Sequence, residues 1–299
     1  MDRSERFGSA GRVIRTGFVI NAILMAMKLS AGYFGKSEAV FADGMESAAD
    51  FIAILSSIIA LRIGSQPYDE SHPYGHGKAE SLAAIIVSLI IVGTGGWILY
   101  RAVHTIVYSA YQVPELVAVA AAFFTILIKE GLFRYTIKTG KRLGSPAILA
   151  AAKDHRKDAI TSVGTLIGVT GAFLGLPILD PIAAGLTSFF IFHIGYETFI
   201  CAANDLMDGR PEDECVEGII KLAEGVQGVE HVHEIRCRRS GQYLIVDMKL
   251  DMDPDLTVRT SHGIATDVKR QIFQGFPNVG DVMIHINPHE EDHEDLIRL

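Results

Sequence analysis

Along the first two-thirds of the chain, apolar residues come in long blocks separated by polar connections. Six blocks reach the roughly 20 residues that a membrane-spanning helix needs: 13–34, 39–63, 81–103, 113–133, 146–173 and 177–203, some of them carrying charges. The connections are short except 64–80 and 136–145. No small-residue cleavage site follows the first block and the second comes at once, so block 1 is expected to be a span rather than a signal peptide. Residues 1–208 are therefore expected to form an α-helical membrane domain, a bundle of six transmembrane helices.

After residue 208 the periodicity changes. Residues 212–224 alternate as an amphipathic helix, with Val216, Ile219, Ile220 and Leu222 apolar. Segments 231–238 and 243–251 read as strands around the turn Arg239-Ser240-Gly241-Gln242. Residues 258–273 read as a second helix and 281–286 as a third strand. The αββαβ order predicts a small, metallochaperone-like α+β domain over 209–288. An acidic tail follows over 289–299, with His289 and His293 as loose metal binders or as solvated residues.

Charge sharpens this division. The chain has 299 residues, 49% hydrophobic and 21% charged, with mean hydropathy +0.27. Residues 205–299 carry 10 Lys+Arg against 20 Asp+Glu, while the rest is close to neutral. An acidic soluble part argues against nucleic acid as a partner. Cys201, Cys215 and Cys237 are too scattered for a disulfide framework or a thiolate site. Arg3, Arg6, Arg12 and Arg15 lead into block 1; Arg62 and Lys78 flank the second connection; Arg134, Lys138, Lys141 and Arg142 fill the fourth; Arg210 follows block 6. The opposite side has Lys36, Arg101 and His104. The positive-inside rule then puts both termini in the cytoplasm, in a cell (inner) membrane or an organelle membrane.

Two of the blocks carry carboxylates. Glu46 and Asp50 are four residues apart in block 2, and Asp154 and Asp158 are four apart in block 5, so each pair stacks on one helical face. An ionisable group at the centre of a span costs at least ~2.5–3.5 kcal/mol. A divalent cation held between the two helices would compensate all four. The alternative is salt bridging to Lys153, Arg156 and Lys157. Asp43, seven residues before Asp50, shares that face as an outer support or a group on the way in. Gly44, Gly164, Gly168 and Gly171 suit close helix packing or rocking. In the connection after block 2, Asp69, His72 and His76 form an N/O constellation that fits a metal or plain hydrogen bonding. His72-x-x-x-His76 has the histidine spacing of a zinc hydrolase but lacks its Glu, and Pro73 and Gly75 break the required helix.

With these motifs in hand, the chain resembles the cation diffusion facilitator family of divalent-metal/proton antiporters. The resemblance covers nearly the whole chain. It rests on the block-2 carboxylates, on His72-Pro73-Tyr74-Gly75-His76-Gly77-Lys78-Ala79-Glu80, on Asp154-His155-Arg156-Lys157-Asp158 and on Ser145-Pro146-Ala147. It implies a secondary active transporter rather than an enzyme, working as a homodimer in the lipid bilayer, with no cofactor beyond the divalent metal it carries. It implies a transport site at Glu46, Asp50, Asp154 and Asp158, a loop site at Asp69, His72 and His76, and a membrane-junction salt bridge between Lys78 and Asp208. It also implies a cytoplasmic-domain metal site from His233, Asp247, His262 and His285, thinned because Lys249 and Asn287 stand where relatives have ligands.

Members commonly have Asp or His where this chain has Glu46, and often His where it has Asp154. His155 is one residue out of frame, and about 100° of helical rotation carries it away from the ligand positions, leaving it, like Asp43, an outer support or a group on the way in. Four carboxylates without imidazole favour Mn²⁺, then Fe²⁺, with Zn²⁺, Co²⁺ or Cd²⁺ behind. Glu46 leaves room for an alternative: a transport-weak relative acting as a metal sensor or assembly scaffold through its C-terminal domain.

Overall fold

The computed structural model describes residues 3–289, with side chains from residue 11 onward. The tail histidine His293 and its acidic neighbours Glu290, Glu291 and Asp292, and the side chains of Arg3 and Arg6, lie outside the described residues. The element order is α1 (Arg3–Phe34), α2 (Glu38–Gly64), α3 (Ala79–Val107), α4 (Leu116–Leu143), α5 (Pro146–Phe173), α6 (Leu179–Leu206), α7 (Asp213–Glu224), β1 (His231–Ser240), β2 (Tyr243–Met252), α8 (Val258–Gly275) and β3 (Val279–Pro288). It is a helical, membrane-type region followed by a small α+β domain.

One expectation needs correction. Residues 136–145 are not a loop: α4 runs on through them to Leu143 and stops only at Gly144, whose left-handed φ of 61° suits a residue without Cβ. The polar run Lys138–Arg142 ended the hydropathic block but not the helix, because Lys and Arg are good helix formers. The six long helices stand where the six blocks lie, and among the described residues five of them are both long and apolar enough to cross a membrane. The exception, α5, has the length but crowds Lys153, Asp154, Arg156, Lys157 and Asp158 into two turns.

The chain falls into two compact units, one of residues 1–56 and 86–199, the other of 57–85 and 200–299. In the first, Ala42 and Ala49 of α2 pack with Val87, Ile91, Ile98 and Ala102 of α3 and with Ala184 and Ile191 of α6. A second cluster joins Ala31 of α1, Val40 of α2, Ala118, Ala121 and Ala122 of α4, and Val169 of α5. The small residues let the helices approach closely. A Cβ at Gly32 would lie 2.5 Å from the Phe41 backbone nitrogen. The start of α2 is closed by Asp180 of α6, which accepts from Ser37 Oγ at 2.6 Å and from the Glu38 N–H at 2.5 Å. A carboxylate there satisfies orphan N–H groups and faces the positive end of the helix dipole.

In the second unit, β1 and β2 pair antiparallel and β2 and β3 parallel, in the order β1-β2-β3. Leu244, Val246, Met248, Leu250 and Met252 present one face of β2 to Val216 and Ile219 of α7 and Val268 and Ile272 of α8. Thr257 caps α8 by accepting from the Thr260 N–H at 3.2 Å. The sheet register shifts at His233, the extra residue of a β-bulge.

Candidate functional site

The transport-site residues depend on how α1, α2, α4 and α5 are aligned. Gly32 meets Phe41 and Gly44 meets Leu29, so α1 and α2 run antiparallel. Gly17 meets His155, and a Lys129 bridge links Asn21 to Asp158, so α1 and α5 run parallel. Therefore α2 and α5 are antiparallel. Their register is set by Ser162 Oγ, which donates to Asp43 Oδ2 at 3.1 Å. One turn down from Ser162 is Asp158; one turn along from Asp43 are Glu46 and Ser47.

The helices also carry two cations that the hydropathic pattern hides. Lys28 is 1% exposed; its Nζ donates to Asp43 Oδ1 at 2.8 Å and to Ser47 Oγ at 2.9 Å. Lys129 is 3% exposed; its Nζ donates to Asp158 Oδ2 at 2.6 Å and to Asn21 Oδ1 at 2.8 Å. An ammonium removed from water needs such partners. Asp43 is thus an ion-paired strut between α1, α2 and α5. Asp158 pairs with Lys129 of α4, not with its sequence neighbours; Arg156 instead lies over the Phe133 ring, 4.7 Å from its centroid. His155 is buried against Gly17 of α1. Asp154 is exposed, and Asp50 is exposed while Glu46 is half-buried.

Of the four glycines, Gly44, Gly168 and Gly171 sit at close contacts, on Leu29, Ala183 and Leu179 respectively, whereas Gly164 has open space.

In the second unit, the connection after α2 gathers Asp69, His72 and His76, with one ligand atom from each lying within 4.8 Å of the others. Among the described residues this is the one such group of three; neither the four transport carboxylates nor His233, Asp247, His262 and His285 form another. Asp69 Oδ1 accepts from the backbone N–H of His72 at 2.6 Å and of Ser71 at 2.9 Å. These bonds hold its carboxyl below the usual carboxylate range, the His72 N–H most of all. His72 Nδ1 is 3.3 Å from Asp69 Oδ1, and His76 Nε2 is 3.4 Å from Asp69 Oδ2. The other His76 nitrogen, Nδ1, is 3.2 Å from the Pro67 carbonyl, which can only accept. His76 thus has an acceptor beside each ring nitrogen, the Pro67 carbonyl at Nδ1 and the Asp69 carboxylate at Nε2.

Lys78 Nζ donates to Asp208 Oδ1 at 2.7 Å and to the Asp205 carbonyl, and Arg238 reaches Asp208 Oδ2 at 3.3 Å. These contacts, the Lys78 hydrogen bond first, lower the Asp208 carboxyl pKa. Gly77 lies against Ser240, where a Cβ would come 2.5 Å from Oγ.

In the sheet, His233 Nδ1 lies 3.5 Å from Asp251 Oδ2. Asp247 is exposed opposite Arg236, His262 is exposed on α8, and His285 is exposed on β3 in register with Lys249. Lys249 pairs with Glu234 at 2.8 Å. The cysteines are free, and burial pushes the Cys237 thiol up to about 11, so it stays protonated and inert.

Long apolar helices enclosing paired carboxylates and ammonium groups define a multi-pass membrane protein, and comparison with known proteins gives its family. Residues 14–207 match the model described as "Cation efflux transmembrane domain", and residues 211–289 match "Cation efflux protein, cytoplasmic domain". The chain belongs to the cation efflux family, the cation diffusion facilitators, a family of transporters rather than enzymes. It is 36% identical over 296 residues to the manganese efflux system protein MneP of Bacillus subtilis, covering 97% of this chain and 99% of that one. It is 31% identical over 277 residues to the magnetosome protein MamB of Magnetospirillum gryphiswaldense, covering 92% and 93%. It is 32% identical over 292 residues to metal tolerance protein C1 of Arabidopsis thaliana, covering 93% of this chain and 62% of the relative.

Proposed function

We propose that the protein exports divalent transition-metal cations from the cytoplasm in exchange for protons, with Mn²⁺ preferred, then Fe²⁺, then Zn²⁺, Co²⁺ or Cd²⁺. Glu46, Asp50 and Asp158 form the centre of the transport site, and Asp154, one turn from Asp158, completes it. The single observation that supports this reading is the Ser162–Asp43 hydrogen bond, a link between α2 and α5 one turn from Asp158 and from Glu46. Carboxylates bind metal when ionised and protons when empty, so the two cargoes compete for one site. Opening that site alternately to each side couples inward proton flow to outward metal flow. An all-oxygen donor set supports Mn²⁺ over metals that seek imidazole, and the manganese efflux relative agrees with it.

The Asp69/His72/His76 group serves as a second metal site. Both termini are cytoplasmic, residues 1–208 are the membrane domain, 209–288 the metal-sensing and dimerising domain, and 289–299 an appended tail. His233, Asp247, His262 and His285 contribute to sensing across a homodimer, since no single chain gathers them. The test is uptake into proteoliposomes under a pH gradient, with Mn²⁺, Fe²⁺, Zn²⁺ and Co²⁺ assayed in parallel. Mn²⁺ uptake driven by the gradient and lost in Asp50→Ala/Asp158→Ala is the expected result; unchanged transport by that double variant refutes the site.

A further inference from the structure

Lys28 and Lys129 are both buried ammonium groups, yet they are held in different ways. Lys28 has three oxygen neighbours, Asp43 Oδ1, Ser47 Oγ and, at 3.4 Å, the Asp43 carbonyl. All three belong to one turn of α2, and the side chain is sealed at 1% exposure. It is a clamp. Lys129 bridges two helices: Asp158 on α5 holds one side of the ammonium and the neutral amide oxygen of Asn21 on α1 holds the other. Its carboxylate partner is open, with a side chain 26% exposed, while Lys129 itself is 4% exposed.

A dication coordinated by Asp158 would bind a carboxylate whose Oδ2 already accepts from Lys129. Two positive charges cannot share that carboxylate at contact distance without strong repulsion in a poorly solvated setting. Cargo and ammonium therefore compete for the charge of Asp158. Because Asn21 Oδ1 stays within hydrogen-bond reach, Lys129 can give up Asp158 without losing every partner. We propose that Lys129 is a built-in counter-cation of the transport site: it neutralises Asp158 when the site is empty, cedes it to the arriving metal, and reclaims it to help expel the cargo. This rests on the transport-site reading above and deepens it. Lys129 is a positioning residue that sets affinity and release, and it touches no metal.

The consequence is a split between affinity and turnover. An interaction that weakens bound cargo raises KM but speeds release. The test is Mn²⁺ uptake by the full-length chain in proteoliposomes at a fixed pH gradient, together with equilibrium Mn²⁺ binding to the purified protein in detergent. Lys129→Gln is expected to lower KM and Kd by about tenfold, the size of one charge-assisted hydrogen bond, and to lower kcat. Lys129→Arg grips the carboxylate with a two-pronged guanidinium and is expected to raise KM severalfold. A merely structural role would not move KM in opposite directions. Unchanged or raised KM in Lys129→Gln overturns the proposal. Should that variant fail to fold, an unchanged or lowered KM in Lys129→Arg does the same. Asp158→Asn separates the two readings: loss of uptake there with no KM shift at Lys129 sinks this inference alone, whereas normal uptake by Asp158→Asn sinks it together with the transport site.

Discussion

The helical carboxylates and the loop cluster are two answers to one electrostatic problem. In the loop, Asp69 is half-exposed, water and backbone N–H groups stabilise its charge, and the ligand atoms of Asp69, His72 and His76 stand ready within 4.8 Å. Within the bundle, Asp43 and Asp158 are each paired with a buried lysine, and among the described residues no three ligand atoms converge. Where solvent is available a metal site can be assembled in advance. Where it is scarce, uncompensated carboxylates are too costly, so resident cations fill in. A site of the second kind binds more weakly and exchanges more readily, which suits transport; one of the first kind suits retention.

That contrast can be broken at several points. The largest effect is expected at Asp158: Asp158→Asn should lower proton-driven Mn²⁺ uptake by at least ~100-fold, beyond the cost of losing an outer support of a metal site, measured in proteoliposomes. Lys28→Met should come next. It strands Asp43, only 4% exposed, and breaking a buried ion pair costs about 3–5 kcal/mol, seen as earlier thermal unfolding in detergent. Adding Asp43→Asn should restore part of the loss. His76→Ala should remove one bound Mn²⁺ per chain in equilibrium binding while affecting uptake less than Asp158→Asn.

The smallest effect is expected at Asp208, whose partners are partly exposed, so Asp208→Asn should cost at most about 1 kcal/mol. Its carboxyl lies below the ordinary range in the folded chain. The stabilisation is therefore present above the unfolded-state pKa and is lost as pH falls through the folded one. Parent and variant should differ in melting at neutral pH and converge at acid pH, once the carboxyl is protonated in the folded chain as well.

Much of this architecture was legible from local pattern. The α5 boundaries follow from Ser145-Pro146 at one end, where Pro suits the first helical turn, and from the end of the apolar block at the other. The three strands were visible as alternating segments, although β1 and β3 each extend two residues beyond the pattern at one end or both. The loop cluster was legible because its three members lie within eight residues. The lysines were not. Lys28 is a single cation in an apolar run, and its partner is 15 residues away; Lys129 is 29 residues from Asp158. Nothing in helical spacing links such pairs, since only neighbours three or four apart share a face. Lys153, Arg156 and Lys157 were the nearer candidates for Asp158, but rotation about the α5 axis turns them elsewhere.

Composition and periodicity alone determined that this chain is a helical membrane protein with a small α+β appendage, and which carboxylates and histidines are the candidates for its chemistry. Burial of apolar side chains depends chiefly on residue type and period, so those features survive without coordinates. What only the tertiary structure decided is who neutralises whom: Asp43 by Lys28, Asp158 by Lys129 and Asn21, the α2 start by Asp180. Coulomb energy depends on distance through space, and distance between helices is set by packing that no local pattern records.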